Sequence, residues 1–273
     1  MMNVIDNQSY HDFLESIHLH YGYDFRDYAD ASVKRRITHF MSGRNIDALD
    51  ELKAHILKDE SVFVEFVQEL SVTVTEMFRD PEFYKSLREK VIHRLATYPS
   101  IRIWIAGCAT GQEVYSIAIL LKEAGLLDRS IIYATDINQR SLLTAKEGMY
   151  GLENMKAYTE NYLAAGGNGS FSDYYVAKYN SARFDPALKK NVVFSAHNLA
   201  ADQSFNEFQL IICRNVLMYF NQNLQDKVVN LFYESLCPLG FLGLGDKESL
   251  LFSSKKTFFE VTDRKYKIYM KVK

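Results

Sequence analysis

The chain has 273 residues, 48% hydrophobic and 24% charged, which excludes disordered and fibrous classes and leaves room for one large α/β domain plus a small one. A formal net charge of −2 excludes a general pull toward nucleic acid or anionic membrane, so any such contact needs a local patch. The amino terminus lacks a secretory layout and no apolar run approaches the ~18 residues of a membrane span, so a cytoplasmic protein is expected.

Residues 1 to about 95 read as helices. Residues 7–20 carry Phe13, Leu14, Ile17 and then Tyr21 at helical spacing. A second helix starts near Asp30, with Asp30 or Ser32 as its candidate cap. Residues 47–57 put Leu49, Leu52 and Ile56 on one face, and residues 61–70 do the same with Val64, Val67 and Leu70. Lys34, Arg35 and Arg36 form a basic cluster on the second helix, either a solvated face or a docking patch for an acidic partner.

In residues 71–83, Thr73 and Thr75 alternate with Val72 and Val74 as in an extended segment, and Pro81 opens a new helix with Asp80 as its cap. Arg79 is thereby held just before a helix start, on the way into a sheet. From Ile101 strands and helices alternate: strands over 101–106, 131–135, 192–195, 208–213 and 239–245, helices over 113–123, 139–146 and 222–236. Such alternation implies a mostly parallel sheet. Residues 258–262 and 266–272 read as a closing antiparallel pair. Between 148 and 191 the alternation breaks into a small β insertion with a flexible glycine-rich turn at 164–170.

Three strands end on polar groups. The first stops at Gly107 and turns through CATG into a helix holding Glu113, the second ends on Asp136, and a later one ends on Arg214 and Asn215. In an open α/β sheet ligands sit at the carboxyl ends of the strands. The turn lacks the third glycine of the dinucleotide fingerprint and has no Gly-Lys-Ser/Thr phosphate loop. Asp136 stands where a carboxylate accepts hydrogen bonds from ribose hydroxyls, or caps the helix that follows it. Glu113 would repel a pyrophosphate but attract an ammonium or sulfonium, so S-adenosylmethionine fits better than a nicotinamide dinucleotide. Cys108, Cys213 and Cys237 match neither a zinc spacing nor a disulfide framework, so reduced thiols and no metal site are expected.

From about Tyr21 onward the chain resembles the chemotaxis-receptor glutamate methyltransferases of the CheR type. The stretches that carry the likeness are VTVTEMFRDP, AGCATGQEVYSIA, ATDIN, VVFSAHNL and CRNVLMYF, in family order and at family-like spacing. The resemblance implies a small helical domain over 1–95 and a Rossmann-like, class I S-adenosylmethionine-dependent methyltransferase domain over 96–273, with a β subdomain inserted at about 148–191. By position it implies cofactor contacts from Thr73, Thr75, Arg79, Gly107, Glu113, Asp136, Asn198, Leu199, Arg214 and Asn215. It also implies that Arg79 and Tyr219 face the reacting methyl group, and that the helix carrying Lys34, Arg35 and Arg36 docks the helical cytoplasmic region of a methyl-accepting chemoreceptor.

The chain departs from the family pattern in places. Thr73 stands for a usual Asn, Met77 for Phe, Gln112-Glu113-Val114 for Glu-Glu-Pro, Gln209 for a frequent Asp, and Asp246-Lys247-Glu248 for His-Ser-Glu. The expected reaction is methyl transfer to a receptor glutamate. The competing expectation is a regulator without catalysis that senses S-adenosylmethionine and binds a signalling partner.

Overall fold

A computed structural model describes residues 5–71 and 75–273. Four helices come first: α1 (Asn7–Tyr21), α2 (Asp30–Gly43), α3 (Leu49–Lys58) and α4 (Glu60–Leu70). They enclose their own core, built on Phe13, Ile17, Ile37, Leu52, Ile56 and Phe66. Asp6 caps α1 by accepting from Ser9 N at 3.0 Å, and Asp59 caps α4 by accepting from Ser61 N at 2.8 Å. Neither Asp30 nor Ser32 caps α2. Its N-cap is Ala29 without a side-chain bond, and Asp30 is the first helical residue, where a carboxylate favours the helix dipole. On α4 the buried face belongs to Phe63, Phe66, Val67 and Leu70, while Val64 is exposed. The aromatic rings decide this. Phe66 packs edge-on against Phe13 and Phe40, with centroids 5.6 and 5.4 Å away.

A linker leads into α5 (Pro81–Lys90) and the short α6 (Ile92–Leu95). Asp80 stands at the N-cap of α5, but its side chain makes no cap bond and is drawn instead to Arg214. Then follow β1 (Ile101–Ala106), α7 (Gln112–Glu123), β2 (Ser130–Asp136) and α8 (Gln139–Glu147). The insertion holds β3 (Met149–Gly151), α9 (Met155–Ala164), β4 (Tyr175–Lys178) and β5 (Ser181–Phe184). The chain returns through β6 (Val192–Ala196), β7 (Phe208–Cys213), α10 (Gln222–Ser235), β8 (Leu236–Leu244), β9 (Phe259–Asp263) and β10 (Ile268–Lys271).

Seven strands form one sheet in the order β6-β2-β1-β7-β8-β10-β9. The first five are mutually parallel, and β10 is antiparallel to both β8 and β9. Five of the six residues of β1 are buried, as a central parallel strand covered on both faces requires. The order reverses at β1, which pairs with β2 on one side and β7 on the other. That is the switch point where such sheets open a crevice. Strand β8 begins three residues before the expected 239, because residues 236–238 run beside Phe208 ahead of a register shift. Leu239 there takes a φ of 62°.

The insertion contains more than β structure. Its three-stranded sheet, ordered β3-β5-β4, is joined by α9, which periodicity alone did not reveal. The glycine-rich turn is packed, not loose: Gly169 N donates to Tyr162 Oη at 3.1 Å. A Cβ on Gly167 would lie 2.2 Å from the Tyr162 ring. Tyr162 and Tyr174 donate to Glu123 of α7, which also pairs with Arg88 at 2.5 Å. The insertion therefore shares the core of the main sheet.

Asp263, at the end of β9, accepts from Lys90 Nζ at 2.6 Å and Ser86 Oγ at 2.7 Å, tying α5 to the far edge of the sheet. Burial pushes its carboxyl up, but Lys90 and Ser86 win and bring it down to about 2. A depressed carboxyl contributes stability above its unfolded pKa of 3.8 and loses it as pH falls toward 2. Asp263→Asn should therefore cost about 2 kcal/mol at pH 7. Urea unfolding should show the gap between the two proteins closing between pH 4 and about 2.

Candidate active site

At the carboxyl end of β1 the chain must turn sharply. Gly107 (φ 77°), Ala109 (φ 46°) and Gly111 (φ 95°) all take left-handed backbone. Gly107 N and Cys108 N both donate to Thr135 O, at 2.8 and 2.9 Å. Gly107 also leaves no room for a side chain, since a Cβ would lie 2.4 Å from Val216 Cγ2. This turn, the end of β2 and the loop after β7 border a cleft of about 1070 Å³, counting its open mouth. Small-molecule sites commonly enclose about 300–1,000 Å³.

Ten of the expected residues line this one cleft: Thr75, Arg79, Gly107, Glu113, Asp136, Asn198, Leu199, Arg214, Asn215 and Tyr219. Thr73 lies outside the described residues. Lys34, Arg35 and Arg36 sit apart, on α2. Among these three, Lys34 donates to Asn7 Oδ1 at 2.6 Å and Arg36 donates to Glu69 O at 2.6 Å. Arg35 is exposed, with no partner among the described residues.

Asp136 is held by two backbone donors, Ala109 N on Oδ2 and Asn138 N on Oδ1, both at 2.8 Å. A carboxylate offers about four lone-pair sites, so two acceptor positions remain. The cap of α8 is Asn138, whose Oδ1 accepts from Arg140 N and Ser141 N. Asp136 is thus released from capping. Burial pushes its carboxyl up, against the Asn138 and Ala109 N–H bonds that pull it down, and the net shift is upward.

Arg214 is almost wholly enclosed, its side chain 3% exposed. Nη1 donates to Glu113 Oε1 at 3.0 Å and to Arg79 O at 3.1 Å, and Nη2 donates to Asp80 Oδ2 at 2.6 Å. Its guanidinium lies 4.2 Å from the centroid of Phe83. Its Nε is buried with no partner among the described residues. Glu113 Oε1 also accepts from Tyr84 Oη at 3.1 Å. Glu113 therefore neutralises Arg214 as well as lining the cleft.

The linker that carries Arg79 is clamped on each side. Phe78 N donates to Ser116 Oγ at 2.9 Å, and Asn161 Nδ2 donates to Met77 O at 3.0 Å. Phe78 and Asp80 are forced to φ values of 52° and 56°, a strain the surrounding contacts must hold. The Arg79 guanidinium, by contrast, has no ion pair among the described residues.

The lining also includes residues that sequence reasoning missed. Tyr28 and Phe220 pack at 4.9 Å and form an isolated antiparallel bridge. Ala29 N donates to Tyr219 O at 2.8 Å, and Asn221 N donates to Asp27 O at 2.8 Å. No periodicity marks residues 24–29, so nothing local could have announced this contact. Glu76, Ile137 and His197 also line the cleft; each adjoins a residue or motif already singled out.

Three carboxylates (Glu76, Glu113, Asp136) against two guanidinium groups (Arg79, Arg214) give the lining one net negative charge. That balance suits a ligand with an ammonium, a sulfonium and one carboxylate, and opposes a pyrophosphate. The spare acceptor positions on Asp136 suit a ribose diol, and the unpartnered Arg214 Nε leaves one buried donor. S-adenosylmethionine fits this donor set.

The fold and the cleft define a Rossmann-like, class I methyltransferase that uses S-adenosylmethionine. Residues 73–268 match the CheR methyltransferase SAM-binding domain and residues 8–71 the CheR methyltransferase all-alpha domain. The chain belongs to the CheR methyltransferase family. It is 50% identical over 258 residues to Cher3 of Pseudomonas putida, covering 94% of each chain. It is 30% identical over 234 residues to chemotaxis protein methyltransferase 1 of Pseudomonas aeruginosa, covering 80% of this chain and 81% of the other. With the chemotaxis protein methyltransferase of Listeria monocytogenes it shares 29% identity over 232 residues, 84% and 86% of the two chains.

The Asp136 geometry has a direct consequence for binding. Acceptance from two hydroxyls needs the carboxylate, so affinity should fall as pH drops through a carboxyl pKa that lies above 3.8. Calorimetric titration with S-adenosylhomocysteine should show this loss in the wild type. Asp136→Asn should weaken binding about tenfold or more at neutral pH and flatten the acid limb.

Proposed function

We propose that this protein is a protein-glutamate O-methyltransferase of chemotaxis-type signalling. It converts glutamate side chains on the helical cytoplasmic region of a chemoreceptor-type protein into methyl esters and releases S-adenosylhomocysteine. The observation that carries this reading is Arg79: a guanidinium on the cleft wall, clamped through its own backbone to Arg214, yet without a carboxylate partner among the described residues.

Bound S-adenosylmethionine supplies an activated sulfonium methyl group. The contacts assigned to it are Thr75, Arg79, Gly107, Glu113, Asp136, Asn198, Leu199, Arg214 and Asn215, with Asp136 on the ribose. Thr73 is kept in that set from the family pattern. An acceptor glutamate with a pKa near 4.3 is already ionised at pH 7, so the chain needs no general base. Its work is placement. Arg79 takes the incoming carboxylate as its missing counter-ion, and Tyr219, whose hydroxyl has no protein partner among the described residues, faces the same space. Leu70, Ile137, Leu199, Val216 and Phe220 supply apolar wall that strips water from the carboxylate. Positioning and desolvation of this kind can supply much of a rate enhancement.

Residues 1–95 are assigned to receptor docking and to the linker, and residues 96–273 to the S-adenosylmethionine-binding methyltransferase domain, whose cleft the linker residues Thr75 and Arg79 help line. Lys34, Arg35 and Arg36 mark the docking helix, with Arg35 its most available charge. The backbone bonds from residues 27–29 to residues 219–221 join the start of that helix to the loop bearing Tyr219. The names of the Pseudomonas aeruginosa and Listeria relatives support a chemotaxis setting.

The test uses methyl-labelled S-adenosylmethionine and membranes carrying receptors from the protein's own source. Label should appear on a receptor band and be released by alkali as methanol, as a carboxyl methyl ester requires. Arg79→Ala should reduce transfer by about 100-fold, far more than the loss of its cofactor contact weakens cofactor binding. Equal losses in both would remove Arg79 from the acceptor role. Absence of label with cofactor binding intact would favour a regulator that only senses the cofactor.

A further inference from the structure

Glu248 is a carboxylate that neither the cleft nor the proposed chemistry uses. It follows β8, is 4% exposed, and closes a turn in which its own N–H donates to Gly245 O at 3.0 Å. Four backbone N–H groups converge on it. Oε2 accepts from Gly245 at 2.7 Å and Asn215 at 3.1 Å; Oε1 accepts from Val216 at 2.8 Å and Met218 at 3.3 Å. Three of the four donors belong to the loop after β7, whose own backbone bonds are those of one 3-10 turn at Leu217–Tyr219.

That loop contributes Asn215, Val216 and Tyr219 to the cleft. Asn215 sits at φ 60°, a left-handed conformation disfavoured for a residue with a side chain. Val216 closes against the glycine of the β1 turn. A buried charge is expensive unless its lone pairs are filled. Here they are filled almost wholly by the N–H groups of one loop, so the carboxylate and the loop geometry depend on each other. A neutral side chain of similar shape could not take all four bonds, because an amide nitrogen would face two N–H groups donor to donor.

We propose that Glu248 is a positioning residue for methyl transfer, acting through the backbone of residues 215–218 to hold Tyr219 in place at the cleft. This rests on the role given to Tyr219 above. Glu248 touches neither substrate nor cofactor, and its influence on rate passes through the loop.

The experiment compares wild type, Glu248→Gln, Tyr219→Phe and the double variant. Glu248→Gln should lower kcat for methyl transfer about tenfold, with the KM for S-adenosylmethionine changed less than about threefold. The double variant should be no worse than the poorer single one, since both changes remove one function. Multiplicative losses would overturn the inference, as would an unchanged kcat per folded molecule beside a lowered melting temperature. A second readout is independent of turnover. With 3-fluorotyrosine incorporated, the fluorine line missing from Tyr219→Phe identifies Tyr219. It should broaden or shift in Glu248→Gln, and an unmoved line would overturn the inference. Undiminished transfer by Tyr219→Phe alone would instead refute the role of Tyr219, while the fluorine line still reports whether Glu248 holds it. If Glu248→Gln does not fold, Glu248→Asp enters the same comparison, keeping the charge but shortening the reach by one methylene.

Discussion

The guanidinium of Arg214 is the constraint on which the site depends. It is a charge taken almost completely out of water, and such a charge costs several kcal/mol unless paired and hydrogen-bonded. Its partners come from two separate segments: Glu113 at the start of α7, and the adjacent Arg79 carbonyl and Asp80 carboxylate where the linker enters α5. Satisfying one buried cation therefore brings a strand end, a helix start and the linker to one point. Removing Glu113, 12% exposed, would leave the buried cation with only the half-exposed Asp80 as its counter-charge. Asp80, at a left-handed φ of 56°, directs its carboxylate to Arg214 and makes no side-chain cap bond to α5.

The loop after β7 is held in a comparable way from two sides. Glu248 grips its first residues, and residues 27–29 of the helical part grip its last. The helical part is thereby bonded to the same loop that lines the cleft. Tyr28 makes the closeness concrete, since burial and the nearby Asp136 carboxylate both push its phenol up.

Much of this was legible in the chain. The β-branched run Ile101, Ile103 and Ile105 around Trp104 announced β1 to the residue, because a strand buried on both faces has few polar positions to blur its ends. The strand-terminal polar residues were visible because a parallel sheet aims every strand end at one crevice. Helix α9 was not visible. Its buried residues, Met155, Tyr158 and Tyr162, are sparse, and the other face of the helix is mixed. Likewise Val64 satisfied the helical period, but the larger Phe63 and Phe66 took the core.

By itself, then, the sequence determined the strands and helices of the main sheet and the crevice with Gly107, Glu113, Asp136, Arg214 and Asn215 on it, since these follow from local periodicity and from polar groups at strand ends; the other expected lining residues came from the family resemblance. Only the tertiary structure decided what each polar group does. Glu113 and Asp80 were read one by one, as a cofactor attractor and a cap, yet both share a buried arginine more than a hundred positions away. Glu248 looked like the remnant of a motif and proved to be the acceptor for four backbone donors. Burial is the physical reason. The cost of leaving a charge or an N–H unpaired away from water is set by whatever the fold brings near it, and no local stretch of chain contains that information.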